Sequence, residues 1–374
     1  MTALRPLSGV RVLDLSTLLP GPLATLLLAE SGAEVIKIER PGRGDEMRTY
    51  QPRLGGTSAN YAVLNRGKRA YAADLKNVAE RDRVLALAAK ADVVVEQFRP
   101  GVTDRLGLGY DQVRAANPGV IYCSITGYGQ HGPNAARAGH DLNYLAEMGL
   151  LGVVADGTGT PPLPPTVLAD IAAGTYPAVM NILLALRQRD ATGAGCHLDV
   201  SITHNLQLLA YGYFATHQGG GGWPVPGQEL LTGGSPRYQV YGTSDGRHVA
   251  VAALEDKFWE RLATLVDLPT EYLDERGREK EIIAEMTRRI GAHTAEHWRT
   301  VFDGEDICAV VVATFDEAVE SGLVDTDSTD RLIGEGFDVG TLPSPVDSAL
   351  RRPPGALGYP ALDPLPTGAV WSPR

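Results

Sequence analysis

A histidine between a glycine and an aspartate is the most chemically suggestive feature of this chain. It is His140, in the segment ARAGHDLNYL that covers residues 136–145. An imidazole exchanges protons near neutral pH, and it also binds metals through its ring nitrogens. The tripeptide GHD therefore fits a polar loop, a fragment of a metal site or one half of a catalytic pair, and each interpretation requires a different partner.

Two other motifs suggest chemistry that their surroundings do not support. GYGQHG (127–132) has the glycine spacing of a dinucleotide-binding loop, but Pro133 follows at once and no apolar helical stripe opens behind it. We expect these glycines only to let a ligand approach the backbone closely. HTAEH (293–297) has the spacing of an inverted zinc-protease motif. Thr294 has the position of a helix N-cap, which would leave His293 outside the helix, so we expect no zinc site.

The chain before residue 202 alternates between strand and helix patterns. Residues 9–16 are a run typical of a buried strand, 21–33 carry an apolar helical stripe, and 34–41 are a second strand-like run. Strands joined through a helix run parallel and lie in one sheet. The same alternation recurs over 68–127 and over 171–202. We therefore predict an α/β fold with a parallel sheet covered by helices.

A stretch rich in glycine and proline, residues 218–236, interrupts this alternation. Beyond it, Asp245 and Gly246 separate two alternating runs, which predicts a β-hairpin, and helical patterns follow. A length of 374 residues also favours two domains. We predict a large α/β domain, a linker and a smaller α+β domain, at 1–217 plus 326–374, 218–227 and 228–325 respectively.

Composition narrows the classes of partner. The net charge is −11 without a long basic run, which disfavours nucleic acid. No uninterrupted apolar run is long enough to span a bilayer, and the N-terminus lacks a secretory pattern, so we expect no membrane association. The cysteines, Cys123, Cys196 and Cys308, lie far apart, which fits a reducing compartment and a cytoplasmic protein.

A series of segments in order along residues 8–315 resembles the family III CoA-transferases, which include the α-methylacyl-CoA racemases. These segments are LLPGPLATLLLAESGAEVIKIERPGRGDEMR, LNRGKRAYAADLK, FRPGVTDRLGLGYD, GYGQHGP, AGHDLNY, LADIAAG, LRQRDATGAGCHLDVS and DGRHVAVAALEDKFW. The resemblance implies a Rossmann-like large domain, a small domain and two subunits threaded through one another as an interlocked homodimer. It also implies an acyl-CoA thioester as the substrate, with coenzyme A as part of that substrate and no tightly bound cofactor.

Coenzyme A carries a pyrophosphate and a 3′-phosphate, so its binding to an acidic chain needs local cations. Arg40 and Arg99 each close a predicted strand, whereas Asn65, Lys68 and Arg69 cluster in NRGKR. Open α/β sheets bind ligands at strand ends, so we predict that these residues contact the phosphates of coenzyme A. The alternative for each of them is a solvated polar side chain on the surface.

In the racemases that this sequence resembles, the GHD histidine is a base, and His140 matches it. Its counterpart is an aspartate matched by Asp170, and a glutamate that hydrogen-bonds the histidine is matched by Glu255. Removing the α-proton of a thioester gives a planar enolate, and inversion of that carbon requires one base on each face. We expect Glu255 to fix the tautomer of His140.

The neighbours of these groups are candidates for the acyl pocket. The backbone N–H of Asp141 and Gly139 are expected near the thioester oxygen, where hydrogen-bond donors stabilise an enolate. Tyr238 matches an aromatic position of the racemases and has a core tyrosine as its alternative. Gly127 and Tyr128 complete the predicted pocket.

Other roles remain open for the three catalytic candidates. Each could be structural: a loop histidine with one local hydrogen bond, an aspartate N-cap and a glutamate at a helix N-terminus. The family's CoA-transferases use the same aspartate as a nucleophile, which forms an anhydride and then an aspartyl-CoA thioester. That reaction needs neither His140 nor Glu255, so their presence favours proton transfer. Thr166 stands where racemases carry asparagine, and this departure keeps a CoA-transferase as the second hypothesis.

Overall fold

The computed structural model describes residues 5–154, 159–324 and 330–373 of the chain. Two compact units can be distinguished. The first comprises Met1–Leu145, Pro165–Leu209 and Asp325–Arg374, and the second comprises Ala146–Pro164 and Ala210–Val324. The sequence assigned 146–164 and 210–217 to the large domain, whereas the structure groups both stretches with the second unit. The chain therefore leaves the first unit and returns to it twice.

Strands and helices alternate through most of the chain. Up to residue 209 they are β1 (Arg11–Asp14), α1 (Pro20–Glu30), β2 (Glu34–Glu39), β3 (Arg53–Leu54), β4 (Thr57–Ser58), α2 (Ala59–Asn65), β5 (Arg69–Ala72), α3 (Val78–Ala88), β6 (Val93–Glu96), α4 (Val102–Arg105), α5 (Tyr110–Ala116), β7 (Ile121–Thr126), α6 (Asp141–Glu147), α7 (Tyr176–Thr192), β8 (Cys196–Ser201) and α8 (Ile202–Leu209). Between 210 and 324 they are α9 (Tyr211–Gln218), β9 (Tyr238–Gly242), β10 (His248–Ala252), α10 (Asp256–Leu265), α11 (Glu279–Gly291), α12 (Ala295–Phe302), β11 (Ala309–Val311) and α13 (Phe315–Glu320). The C-terminal part adds β12 (Arg331–Gly334), β13 (Phe337–Gly340), β14 (Ala356–Gly358) and β15 (Leu362–Pro364).

Seven parallel strands form the main sheet of the first unit, in the order β15-β5-β2-β1-β6-β7-β8. Helices α1 and α7 bury apolar side chains on one face, and α3 and α5 do so on the other. The central strands are therefore apolar on both faces, as strands of a two-sided parallel sheet must be. This architecture confirms the predicted α/β class.

Three local features differ from the sequence pattern. The helix predicted from residue 171 begins with a π-helical turn, Ala169–Thr175, which continues directly into α7. Residues 202–218 form two helices, α8 and α9, which are separated at Ala210 and not continuous. The C-terminal tail is rich in proline and shows little periodicity, yet β15 pairs with β5 and Trp371 is buried in the core.

A buried polar network lies at the carboxyl ends of β1 and β2. The parallel register places Asp14 opposite Lys37, and the Lys68 ammonium lies 3.3 Å from the Asp14 carboxylate. Burial alone would raise the pKa of Asp14, but Lys37 and Lys68 bring it down to about 2. The Lys37 ammonium also lies 3.1 Å from Asp45, whose carboxylate accepts the Leu18 N–H. The network therefore fixes the loop after β1.

Replacing Lys68 by methionine should destabilise the protein by about 3–5 kcal/mol, because the change leaves Asp14 buried with one cation fewer. Urea unfolding at neutral pH measures this free energy. Lys76→Met is the matched control, since Lys76 is exposed and should cost no more than about 0.5 kcal/mol. Equal midpoints for the two variants would show that Lys68 does not neutralise Asp14.

The second unit contains a three-stranded antiparallel sheet in the order β11-β10-β9. Helices α10, α11 and α12 bury apolar side chains against it, with Trp259 fully enclosed. The predicted hairpin is confirmed: β9 pairs with β10, and Gly246 in the turn has a φ of 78°, which glycine adopts without strain.

One helical stretch of the described residues, Ala169–Thr192, has the length and apolar composition that a membrane span needs. Some 44% of its most apolar window is buried inside the protein, and a single helix of this kind is weak evidence for a membrane span. This stretch is longer than any uninterrupted apolar run in the sequence, because a few polar residues are interspersed among its apolar ones. The absence of membrane association stays a prediction.

Candidate active site

His140 and Asp170 line one cavity of about 280 Å³ in the first unit. The cavity lies at the carboxyl edge of the main sheet, between the loops that follow β1, β6 and β7. Its lining residues are Thr17, Leu18, Pro20, Gln97, Phe98, Arg99, Pro100, Ile125, Thr126, Gly127, Ala135, Arg137, Ala138, Gly139, His140, Tyr144, Asp170 and Ile202. This is the edge at which open α/β sheets bind ligands.

His140 is exposed and immediately precedes α6. Its backbone N–H donates to the Asn143 side chain at 3.0 Å, and its carbonyl accepts from the backbone N–H groups of Asn143 and Tyr144. Both backbone polar groups of His140 are therefore hydrogen-bonded to the first turn of α6. The backbone at His140 is thereby fixed while the imidazole remains accessible at the cavity.

Asp170 lies in the π-helical turn and is tied to the histidine loop through the backbone. Its N–H donates to Asp141 Oδ1 at 2.9 Å, and Asp141 is itself buried. Burial, followed by the charge of Asp141, raises the pKa of Asp170 to about 6, while His140 acts in the opposite direction. A carboxyl with this pKa exchanges protons readily near neutral pH.

The side chain of Asp141 is a site residue that the sequence reasoning missed, because only its backbone N–H was considered. We predict that Asp141→Asn lowers the pKa of Asp170, since the amide keeps an acceptor for the Asp170 N–H but removes the negative charge. The limb of the pH–rate profile that reports Asp170 should therefore move to lower pH, whichever direction of the reaction is measured. Asp82→Asn, an exposed change on α3, is the control, and an unmoved limb in Asp141→Asn would contradict the assignment.

Tyr144 is a second residue that the sequence reasoning missed, although it lies one helical turn after His140. Its hydroxyl donates to the Gly139 carbonyl at 2.5 Å. A Cβ at Gly127 would lie 2.4 Å from Tyr144 Cε1, and one at Gly139 would lie 2.6 Å from it. Burial, and then the charge of Asp170, raises the pKa of the Tyr144 phenol. Because a side chain at Gly127 or Gly139 would overlap the Tyr144 ring, the two glycines leave the space that this ring occupies beside the cavity.

Tyr128 packs edge-on against this ring, with ring centroids 5.5 Å apart. The Arg137 guanidinium lies 5.3 Å from the centroid of the Tyr128 ring. Gly127 and Gly139 thus line the cavity, whereas Tyr128 supports its wall, and their contact with an acyl group stays a prediction.

A second cavity of about 520 Å³ lies beside the first, and Thr17 and Phe98 line both. Arg40 and Lys76 also line it. Arg40 is exposed, and its guanidinium bonds the Gly44 carbonyl at 2.9 Å while lying 3.4 Å from Glu46. Arg40 thus stands at the second cavity and Arg99 at the first. Lys76, which also follows a strand, was not singled out from the sequence.

Most side chains of the cluster NRGKR are engaged inside the protein. The buried Lys68 ammonium already bonds the Pro22 carbonyl, Thr25 Oγ1 and the Asn65 side chain at 2.8–2.9 Å. Asn65 is fully buried. Arg69 binds the Val370 carbonyl and Glu34. The predicted phosphate contacts of Asn65 and Lys68 disagree with these placements, because both side chains are buried. The Arg69 side chain is 41% exposed, and its phosphate contact stays a prediction.

Two predicted site residues belong to the second unit. Glu255 is exposed and directly precedes α10, and Tyr238 is 37% exposed at the start of β9. Their roles at the site stay predictions.

Two sequence motifs of the second unit have structural roles. Thr294 caps α12 by accepting the His297 N–H, so His293 precedes that helix as expected. The run at 242–246 matches G-x-S-x-G, but it forms the turn of the β9–β10 hairpin. A nucleophile elbow requires a strand-to-helix turn instead.

The sequence model of CoA-transferase family III matches residues 7–333. The chain belongs to CoA-transferase family III. It is 36% identical to mouse α-methylacyl-CoA racemase, over 84% of this chain and 79% of that protein. It is 34% identical to human succinyl-CoA:glutarate CoA-transferase, over 82% of this chain and 72% of that protein. Both racemases and CoA-transferases are therefore relatives of this family III protein.

The fold agrees with this membership. A crystal structure of Rv3272 from Mycobacterium tuberculosis matches with a TM-score of 0.80 and 28% identity, covering 96% of this chain and 98% of that one. The sequence of Rv3272, a probable fatty acyl-CoA transferase, is 30% identical over 97% of this chain and 95% of that protein. The family III assignment thus holds over nearly the whole chain.

Proposed function

We propose that this family III protein is a racemase or epimerase that inverts the α-carbon of a 2-methylacyl-CoA. The observation that carries the proposal is that His140 and Asp170 line one cavity. An imidazole and a carboxyl can each accept or donate a proton, as a two-base mechanism requires. Racemases among the relatives add support.

In the proposed reaction, neutral His140 removes the α-proton, which leaves an imidazolium and a planar enolate. Protonated Asp170 then gives its proton to the opposite face of the α-carbon and becomes a carboxylate. The product has the inverted configuration, and the reverse reaction exchanges the two roles. Glu255 is proposed to support the tautomer of His140, and the Asp141 N–H to stabilise the enolate oxygen.

The test is incubation of one enantiomer of a 2-methylacyl-CoA with the protein in deuterium oxide. We expect deuterium at the α-carbon together with loss of optical purity, because the proton returned comes from solvent-exchanged Asp170. Chiral chromatography and mass spectrometry measure both. Retention of configuration without deuterium uptake would rule out the racemase activity for that substrate.

A CoA-transferase is the second candidate. It is favoured by Thr166, by transferases among the relatives, and by the raised but still acidic pKa of Asp170, which leaves most of the carboxyl ionised at neutral pH. Asp170 would attack the thioester and release CoA, and CoA would then attack the anhydride to give an aspartyl-CoA thioester. Hydroxylamine added to a mixture of acyl-CoA and protein would trap Asp170 as a hydroxamate if this route operates.

Coenzyme A is proposed to enter as part of the substrate and not as a tightly bound cofactor. Arg99 at the first cavity and Arg40 and Lys76 at the second are the cations proposed to contact its phosphates. These charges offset the acidic surface locally.

A homodimer is also proposed, and the exposed apolar face of α7 supports it. Tyr176, Met180 and Leu184 recur every four residues along this helix and are all exposed. The double change Met180→Glu with Leu184→Glu should convert a dimer into monomers, since each carboxylate would be desolvated in the contact. Sedimentation equilibrium measures the mass, and an unmodified chain that is monomeric at micromolar concentration would contradict the proposal.

A further inference from the structure

A buried carboxylate, Glu96, lies directly beneath the wall of the candidate site. It is the last residue of β6 and is only 2% exposed. Its carboxylate accepts the backbone N–H of Phe98 at 2.7 Å. Residues 97–100, here called the cavity wall, all line the cavity that contains Asp170.

The cavity wall is held from two sides. Glu96 binds its backbone at Phe98, and the Gln97 side chain accepts the Gly21 N–H of α1 at 2.9 Å. Phe98 is shared by both cavities. A change at Glu96 therefore acts on both cavities through a single hydrogen bond.

Glu96 is linked to the surface through two side chains. The register of β6 and β7 places Ser124 opposite it, and the Ser124 hydroxyl donates to its carboxylate. The Ser124 oxygen lies 2.9 Å from His197 Nε2. His197 is exposed on the edge strand β8 and stacks on Tyr110, with ring centroids 5.0 Å apart. A carboxyl, a hydroxyl and an imidazole thus form a continuous chain to solvent.

The electrostatic surroundings make both ends of this chain responsive near neutral pH. Burial raises the pKa of Glu96 to about 7, against the effect of its bonds from Ser124 and Phe98. Partial desolvation lowers the pKa of His197. The titratable groups that act on Glu96 or are acted on by it are Asp104 on α4, Tyr122 and Cys123 on β7, and Asp199 on β8. Those that act on His197 are Asp104, Asp111, His131 and Asp199.

We propose that Glu96 is a positioning residue for the cavity wall, and that protonation of Glu96 through His197 and Ser124 loosens the wall. Solvent protonates Nδ1 of His197, the Nε2 proton moves to Ser124, and the hydroxyl proton moves to Glu96. His197 and Ser124 end with the proton count they began with, so the net change is one proton on Glu96. A neutral carboxyl accepts the Phe98 N–H more weakly than a carboxylate does.

The direction of the effect follows from this weakening. Above the pKa of Glu96 the carboxylate holds the wall, and below it the wall is freer and the ligand is held less well. Only the identity of the ligand, an acyl-CoA, rests on the proposed function. The positioning role of Glu96 can be measured on the free protein.

Amide hydrogen exchange of Phe98 is the test, expressed as protection relative to the intrinsic rate at each pH. We expect protection in the unmodified protein to fall about fivefold from pH 8 to pH 6. Glu96→Gln should be flat at the low-pH level. Ser124→Ala should raise the midpoint of the change, because it removes a bond that lowers the pKa of Glu96, and it serves if Glu96→Gln does not fold. Val94, in the middle of β6, is the internal control amide.

Phe98 protection that does not change with pH in the unmodified protein would overturn the proposal. The same pH-dependent fall at Phe98 in Glu96→Gln, or at Val94 in the unmodified protein, would also overturn it. Dephospho-CoA lacks the 3′-phosphate, which itself titrates in this pH range. Between pH 8 and pH 6 its affinity for the unmodified protein should fall by a factor similar to that for Phe98 protection, and its affinity for Glu96→Gln should not change. Failure of dephospho-CoA to bind at either pH would count against the proposed function instead, and the exchange measurement would still judge the positioning role.

Discussion

Asp170→Asn should lower kcat for racemisation by about 10³-fold, because the amide can neither accept nor return a proton on its face of the α-carbon at neutral pH. The substitution is nearly isosteric. The bond that fixes Asp170 uses its backbone N–H, so the local geometry should survive. Loss of optical purity from one enantiomer of a 2-methylacyl-CoA measures the racemisation rate.

Substrate binding provides the control for this variant. The affinity for coenzyme A should change little, since the proposed phosphate contacts at Arg40 and Arg99 are untouched. Asp170→Asn with more than about one tenth of the original racemisation rate would remove Asp170 from the chemistry. Loss of rate together with loss of CoA binding would indicate a structural defect.

His140→Gln should reduce racemisation by about 10²–10⁴-fold, because one face of the enolate loses its base. Asp170 remains and can still remove and return a proton on its own face. One enantiomer of the substrate should therefore take up deuterium slowly with retained configuration, while the other should not exchange. Mass spectrometry after chiral separation resolves the two outcomes.

The same variant discriminates between the two candidate functions. A CoA-transferase that relies on Asp170 as nucleophile should keep substantial transfer activity in His140→Gln. His204→Gln is the matched control, since His204 is exposed on α8 and should behave as the unmodified protein. Full racemase activity in His140→Gln would exclude His140 as a base.

The strand and helix order of the first unit could be predicted from the sequence because its signals are local. The run 9–16 and the apolar stripe of 21–33 correspond to β1 and α1 within a few residues. The hairpin around Asp245 and Gly246 was likewise visible from its turn residues. Local propensity and periodicity determine such elements, so a single sequence reveals them.

The interactions that position the site were not visible, because they join residues distant in the chain. The bond between Asp141 and the Asp170 N–H has no sequence signature, since every residue other than proline carries a backbone donor. Lys68 looked like a phosphate ligand, and only the meeting of β1, β2 and α2 shows that it neutralises Asp14. Polar residue types indicate possible chemistry, whereas burial determines which of them serve the fold.

The most direct test of the two-base account combines both chemistries in one sample. A single enantiomer of a 2-methylacyl-CoA and a free carboxylic acid are incubated with the unmodified protein in deuterium oxide, and hydroxylamine is added before mass spectrometry. A two-base mechanism predicts racemised substrate with deuterium at the α-carbon and an unmodified Asp170. A hydroxamate on Asp170 with no α-deuterium would contradict it and would identify the protein as a CoA-transferase.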